Sequence, residues 1–172
     1  MSAVAEQKLS LEDFHARYDG EKPYFEYWDG EAVRKSVPTR LHSLVQKILL
    51  ILLDAMGFES GAEVTLKLNS AYEPIPDVIA ADSIGDPYPT EAFEVAIEIL
   101  SPKDPFSRVT EKCRLYNQWG IRQIVVIDPL TREIRRFDNG SLRLTDTIAQ
   151  RGDRILTASE LWQQVDLRLS KK

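Results

Sequence analysis

The 172-residue sequence predicts an α/β fold, a mixed central β-sheet flanked by helices, within a single domain spanning residues 1–172 with its core at about 9–146. Three observations predict it. Residues 40–56 carry apolar side chains at helical spacing. The stretch from Phe93 to Ile127 runs strand, helix, strand, as a parallel crossover requires. Asp29-Gly30 and Asn139-Gly140 each sit between β-favouring runs, the pattern of a two-residue hairpin turn near either end of the chain.

Each element has its own local cause. Ser10 can cap a short helix over residues 11–18, with Asp13 three positions on. Residues 24–28 and 32–37 form the arms of the first hairpin. Leu41, Leu44, Val45, Ile48, Leu49 and Leu52 make one face of the long helix, which Gly57 stops. Val64, Leu66 and Leu68 alternate with Thr65 and Lys67, predicting a half-buried strand, and residues 78–81 predict another. Residues 93–100 are apolar on both faces, as in a central strand. Pro102 and Pro105 delay the next helix, which runs over 107–119 and stops at Gly120. Residues 123–127 form a buried strand, residues 134–137 and 142–144 flank the second hairpin turn, and Thr157 caps a last helix. The expected order is αββαβββαβββα.

Composition narrows the function classes. Hydrophobic residues at 43% and charged residues at 28% describe a folded, water-soluble chain. The longest apolar run, residues 48–53, is far below the ~20 residues of a membrane span, and residues 1–7 have no apolar signal core, so a cytoplasmic location without a membrane partner is expected. A single cysteine, Cys113, excludes an internal disulfide and a multi-cysteine zinc site; a buried helix residue is its expected role. The net charge is -5, but unevenly spread: residues 1–100 hold 8 basic and 18 acidic groups, residues 101–151 hold 10 and 6. That is -10 against +4, which would set a phosphate-facing surface beside an acidic one.

Three charged residues stand where charge is costly. Asp77 follows Pro76 at the mouth of the apolar strand 78–81, where a carboxylate needs a partner or a metal; a turn aspartate after two prolines is the alternative. Glu98 lies between Ile97 and Ile99 inside the central strand, a position less suited to a solvated edge glutamate than Glu94 is. Lys112 falls about 60° from Val109 on the helical projection, within the apolar stripe that includes Cys113 and Tyr116. Its stem can snorkel to water, or its ammonium can meet a buried acid such as Glu98. Two acids on strand ends and one lysine suffice for metal-assisted phosphodiester hydrolysis: the acids bind a hard divalent cation, and the lysine orients water and counters phosphoryl charge. No glycine-rich phosphate loop points to a nucleotide kinase.

Taken in order, the segment Phe25-Glu26-Tyr27-Trp28-Asp29-Gly30-Glu31, His42, Pro76-Asp77-Val78, Glu98-Ile99-Leu100-Ser101-Pro102, Glu111-Lys112, Tyr116, Trp119-Gly120 and Val126-Ile127-Asp128-Pro129 resemble the Uma-type restriction endonucleases. This bacterial family lies within the PD-(D/E)XK nuclease superfamily, and the match runs from about Leu9 to Phe137. The resemblance implies a restriction-endonuclease-like core, Mg2+ or Mn2+ as cofactor, DNA as substrate and a homodimer. It implies Asp77, Glu98 and the carbonyl of Ile99 as metal ligands, Lys112 as the catalytic lysine, Glu26 as an auxiliary acid and His42 as a possible site residue, a structural histidine being the alternative. One departure from the superfamily pattern is Leu100, two residues after the glutamate, where the lysine usually stands; in this family Lys112 of the following helix takes its place. Arg108 stands where relatives often carry an acid. A non-catalytic binding module that retains the fold is the alternative function. The aromatic residues Tyr24, Phe25, Tyr27 and Trp28 could stack on bases, or serve as core or dimer contacts.

Overall fold

The computed structural model describes residues 8–170; residues 1–7, on which the expectation of no signal segment rests, lie outside them. Four helices, α1 (Leu11–Tyr18), α2 (Arg40–Ala55), α3 (Phe106–Gln118) and α4 (Ala158–Leu169), accompany eleven strands. These are β1 (Phe25–Trp28), β2 (Glu31–Arg34), β3 (Glu59–Ala62), β4 (Tyr72–Glu73), β5 (Val78–Ala81), β6 (Val95–Ile99), β7 (Gln123–Asp128), β8 (Glu133–Asp138), β9 (Ser141–Leu144), β10 (Thr147–Arg151) and β11 (Arg154–Thr157). The central sheet has six strands in the order β3-β5-β6-β7-β8-β9. Only β6 and β7 run parallel, joined through α3, so the expected crossover is present and the sheet is mixed. The first hairpin forms a separate three-stranded sheet in the order β2-β1-β4, and β10 pairs with β11.

The two faces of the sheet bury different side chains because strand residues alternate. Val78 and Ala80 of β5 and Val95, Ile97 and Ile99 of β6 meet Val45, Ile48, Leu49 and Leu53 of α2. Each of those α2 side chains is almost wholly buried, worth roughly 1.5–3 kcal/mol apiece in transfer free energy. Ile79, Ala81 and Ala96 face the other way, onto Val109, Cys113 and Tyr116 of α3. The main core continues past residue 146 through Ile148, Ala149, Leu156, Leu161, Trp162 and Val165. Thr157 caps α4 in a full capping box with Glu160. Among the described residues no helix is long and apolar enough to cross a membrane.

The strand expected over Val64, Leu66 and Leu68 is absent. Glu63 adopts a left-handed backbone (φ 53°), which ends the ladder, and the strand that pairs with β5 is β3, just before it. Leu66 is fully buried all the same, from a loop whose N–H bonds go to Pro74 (3.0 Å, from Leu66) and Pro89 (3.1 Å, from Lys67). The alternation thus records burial without a ladder. Tyr27 and Trp28 are buried, so these two hairpin aromatics serve as core, while half-buried Phe25 packs on Tyr18 of α1 with ring centroids 4.5 Å apart.

Candidate active site

Asp77 and Glu98 are brought together by strand register. In the β5–β6 pair Val78 stands opposite Ile97, so one step further Asp77 stands opposite Glu98, at the end of the sheet where β5 begins and β6 ends. Glu98 belongs to the α3 face of β6, because its neighbours Ile97 and Ile99 belong to the α2 face. Lys112 lies on the buried stripe of α3 with Val109, Cys113 and Tyr116. The helix therefore lays Lys112 over Glu98.

The ammonium of Lys112 is enclosed by oxygen. Its Nζ lies 2.8 Å from Glu26 Oε1, 2.8 Å from Glu98 Oε1, 2.9 Å from Glu98 Oε2 and 3.3 Å from the carbonyl of Ile75. Glu98 Oε1 also accepts a 2.6 Å hydrogen bond from the hydroxyl of Tyr116. Glu26, on β1, is fixed by the Ile75 N–H (2.7 Å to Oε1) and the Trp28 indole N–H (3.1 Å to Oε2). The first hairpin thus contributes an acid to the same point as the main sheet. Its Asp29-Gly30 turn needs the left-handed conformations observed there (φ 43° and 96°).

Asp77 is held separately. Its Oδ2 accepts from the N–H of Ile99 (2.7 Å), while Oδ1 meets Lys35 Nζ (3.0 Å) and is approached by His42 Nε2 (3.6 Å). Thr39 caps α2 through the N–H of His42, which fixes that residue in the first turn, and the His42 Nδ1 meets Ser101 Oγ at 3.2 Å. Gln46, one turn on, donates to the carbonyl of Asp77 (2.9 Å). All of the side chains expected at the site, Asp77, Glu98, Lys112, Glu26 and His42, therefore meet in one place. Ile99 joins them through its N–H on Asp77, and the carbonyl that faces the ammonium groups is that of Ile75.

Lys35 was not expected there. It follows directly after β2, and its Nζ donates to Ile75 O (2.8 Å) as well as pairing with Asp77. A signal existed: Val33, Lys35 and Val37 share one side of the predicted second arm, a lysine between two valines. These groups line a cavity of about 340 Å³; of its lining, Arg34 and Lys103 are exposed and so mark its mouth, with half-buried Arg108 and Asp104 beside them. The Arg108 guanidinium lies 4.7 Å from the ring of Trp28.

Burial and neighbouring charge divide the two strand acids. Burial would push Asp77 up, but Lys35 and then His42 outweigh it and hold its carboxyl well below the usual range. Burial pushes Glu98 up to about 7; Lys112 opposes this, while Asp77 reinforces it. Burial would lower Lys112, but Glu26 and Glu98 hold it above the ordinary lysine value. Cys113, fully buried, is pushed up to about 12 chiefly by burial and is a packing residue with an unreactive thiol.

The oxygen set suits a hard divalent cation. Two carboxylates and a carbonyl surround the Lys112 ammonium, one carboxylate and the same carbonyl hold that of Lys35, and three buried acids (Glu26, Asp77, Glu98) face only two lysines. Among the described residues, no three His, Cys, Asp or Glu groups stand close enough as placed to ligate one ion.

The chain is similar in fold to the crystal structure of a "putative nuclease belonging to DUF820" from Anabaena variabilis. That structure is 17% identical, with a TM-score of 0.77 over 91% of this chain and 99% of that one. A DrdV–DNA complex solved by cryoEM is 18% identical, with a TM-score of 0.41 over 74% of this chain and 11% of that one. No curated protein matches. Over residues 11–170 the chain matches Uma2, described as "Putative restriction endonuclease", and it belongs to that family.

Proposed function

We propose that the protein is a metal-dependent endonuclease that hydrolyses phosphodiester bonds of DNA. The observation that carries this reading is the meeting of Asp77, Glu98 and Lys112 in one cavity with a cationic mouth. Asp77, Glu98 and the main-chain carbonyl of Ile99 would hold Mg2+ or Mn2+. When bound, the cation supplies activation of a water and neutralisation of charge growing on the phosphate. Lys112, kept charged by Glu26 and Glu98, holds its N–H groups ready to orient that water and to counter phosphoryl charge. Glu26 fixes the position of Lys112, and His42 and Gln46 fix Asp77. Arg34, Lys103 and Arg108 give the neighbouring phosphates a positive surface. The family's description as restriction endonucleases supports DNA as the substrate, and a cytoplasmic location is part of the same proposal. A homodimer is part of the proposal; β9, at the free edge of the central sheet with Leu144 exposed, is a candidate contact, and light scattering tests it.

Purified protein with Mg2+ or Mn2+ should cut plasmid DNA, and Asp77→Ala should abolish the cutting while circular dichroism shows the fold retained. Cutting that survives in the folded variant overturns the assignment. A second reading, a non-catalytic nucleic-acid- or protein-binding module on the same fold, draws on one observation: each site acid is already paired with an ammonium. Calorimetry that finds no divalent-cation binding favours that reading.

A further inference from the structure

We infer that Lys35 is an exchangeable counter-ion: it holds the cation position on Asp77 and leaves it when a divalent cation binds. The inference rests on the metal-dependent reading above, and concerns how that site is kept before metal arrives.

The two lysines are held unequally. Lys112 Nζ contacts two carboxylates and a carbonyl, and its stem is packed into the buried stripe of α3. Lys35 Nζ contacts one carboxylate, Asp77, and the carbonyl of Ile75, with Glu63 Oε1 further off at 3.9 Å. Lys35 stands in the irregular stretch after β2, where its N–H bonds to Tyr24 O (2.8 Å) and its neighbours Arg34 and Ser36 line the cavity mouth. A lysine rooted at a mouth can withdraw its head by rotating its own stem; one rooted in a packed helix cannot without opening the core.

Charge points the same way. Glu26, Asp77 and Glu98 against Lys35 and Lys112 leave the buried cluster at -1 when all five groups are ionised and His42 is neutral. Adding a divalent cation with both lysines in place gives +1. Releasing one lysine gives zero, with no uncompensated charge buried, and the looser hold on Lys35 makes it the one to leave. Asp77 Oδ1, freed of its ammonium, is then available to the cation, while Oδ2 stays on the Ile99 N–H. The released ammonium remains tethered beside Arg34, Lys103 and Arg108, where a phosphodiester would meet it.

Two measurements on the full chain test this, with Mn2+ as the probe. Lys35→Met removes the competitor and takes the cluster to -2, so calorimetry should show Mn2+ binding about tenfold tighter than in wild type. In unaltered protein, acylation of lysines by an N-hydroxysuccinimide ester, read by mass spectrometry, should rise severalfold at Lys35 when Mn2+ saturates, with Lys112 unmoved. The second measurement needs no variant to fold. Equal or weaker Mn2+ binding by folded Lys35→Met, or Lys35 acylation unchanged at saturating Mn2+, overturns the inference while leaving the nuclease reading intact. Absence of Mn2+ binding in both proteins removes both.

Discussion

Replacing Lys112 by methionine separates the electrostatic role of this side chain from its packing role. Methionine keeps a long, unbranched apolar stem in the stripe of α3 but leaves Glu26 and Glu98, both at most 6% exposed, facing each other without the ammonium that now sits 2.8 Å from each. Breaking a buried ion pair by removing one partner costs about 3–5 kcal/mol, and here one lysine serves two acids. The variant has one escape, protonation of Glu98. That carboxyl is already pushed up to about 7 from an ordinary 4.5, and loss of Lys112 raises it further. A carboxyl raised on folding makes the native state bind more protons than the unfolded state between the two values, so stability falls as pH rises through that window. In wild type the fall levels off above about pH 7. In Lys112→Met it continues to higher pH. Urea unfolding followed by circular dichroism should therefore show a loss of about 3–5 kcal/mol at pH 8, and a smaller one at pH 6. At pH 8 the loss corresponds to roughly 6–20 °C in Tm for a chain of this length. Adding Glu98→Gln should recover part of it, since the two sites are in direct contact. A loss of under about 1 kcal/mol at pH 8, or equal losses at both pH values, would refute the reasoning.

Tyr116→Phe removes the hydroxyl that donates to Glu98 Oε1 at 2.6 Å in a fully buried position, and should cost about 1.5–3 kcal/mol in urea unfolding. Thr157→Ala removes the capping box of α4, far from the cavity, and should cost about 1 kcal/mol while leaving Mn2+ binding by calorimetry unchanged.

What the sequence made legible depended on whether a local pattern coincided with burial. The helix α2 and the β6–α3–β7 crossover follow from periodicity because packing at those places is repetitive along the chain. The same logic failed at Val64, Leu66 and Leu68, where one leucine reaches the core from a loop and the positive φ of Glu63 diverts the backbone. It also failed at β10 and β11: their pairing carries a register shift between Thr147 and Ala149, so strict alternation is lost. In the site, Glu98 and Lys112 were legible as charges on apolar faces. Their convergence with Asp77 in one place is a long-range fact that strand register supplies. Lys35 was legible only as a lysine between two valines. Nothing nearby in sequence reports that Asp77, forty-two residues on, is its partner.

The position of Lys112 on a helix, with Leu100 where a strand lysine would stand, has an energetic consequence beyond the location of one charge. A lysine on β6 itself would project from the backbone beside Glu98, with its stem running along the cavity. From α3 the stem is instead buried with Val109, Cys113 and Tyr116, so the ammonium reaches the acids from the core side and leaves the mouth side of the cavity clear. The carbonyl of Ile75 accepts from Lys112 on one side and from Lys35 on the other, at 3.3 and 2.8 Å. One oxygen thus separates an ammonium fixed by helix packing from one rooted at the solvent edge. A site whose acids were all matched by fixed lysines would have to unfold locally to admit a divalent cation. With only one of the two fixed, admission would cost the Asp77 ion pair and a side-chain rotation, and the core around α3 would stay closed.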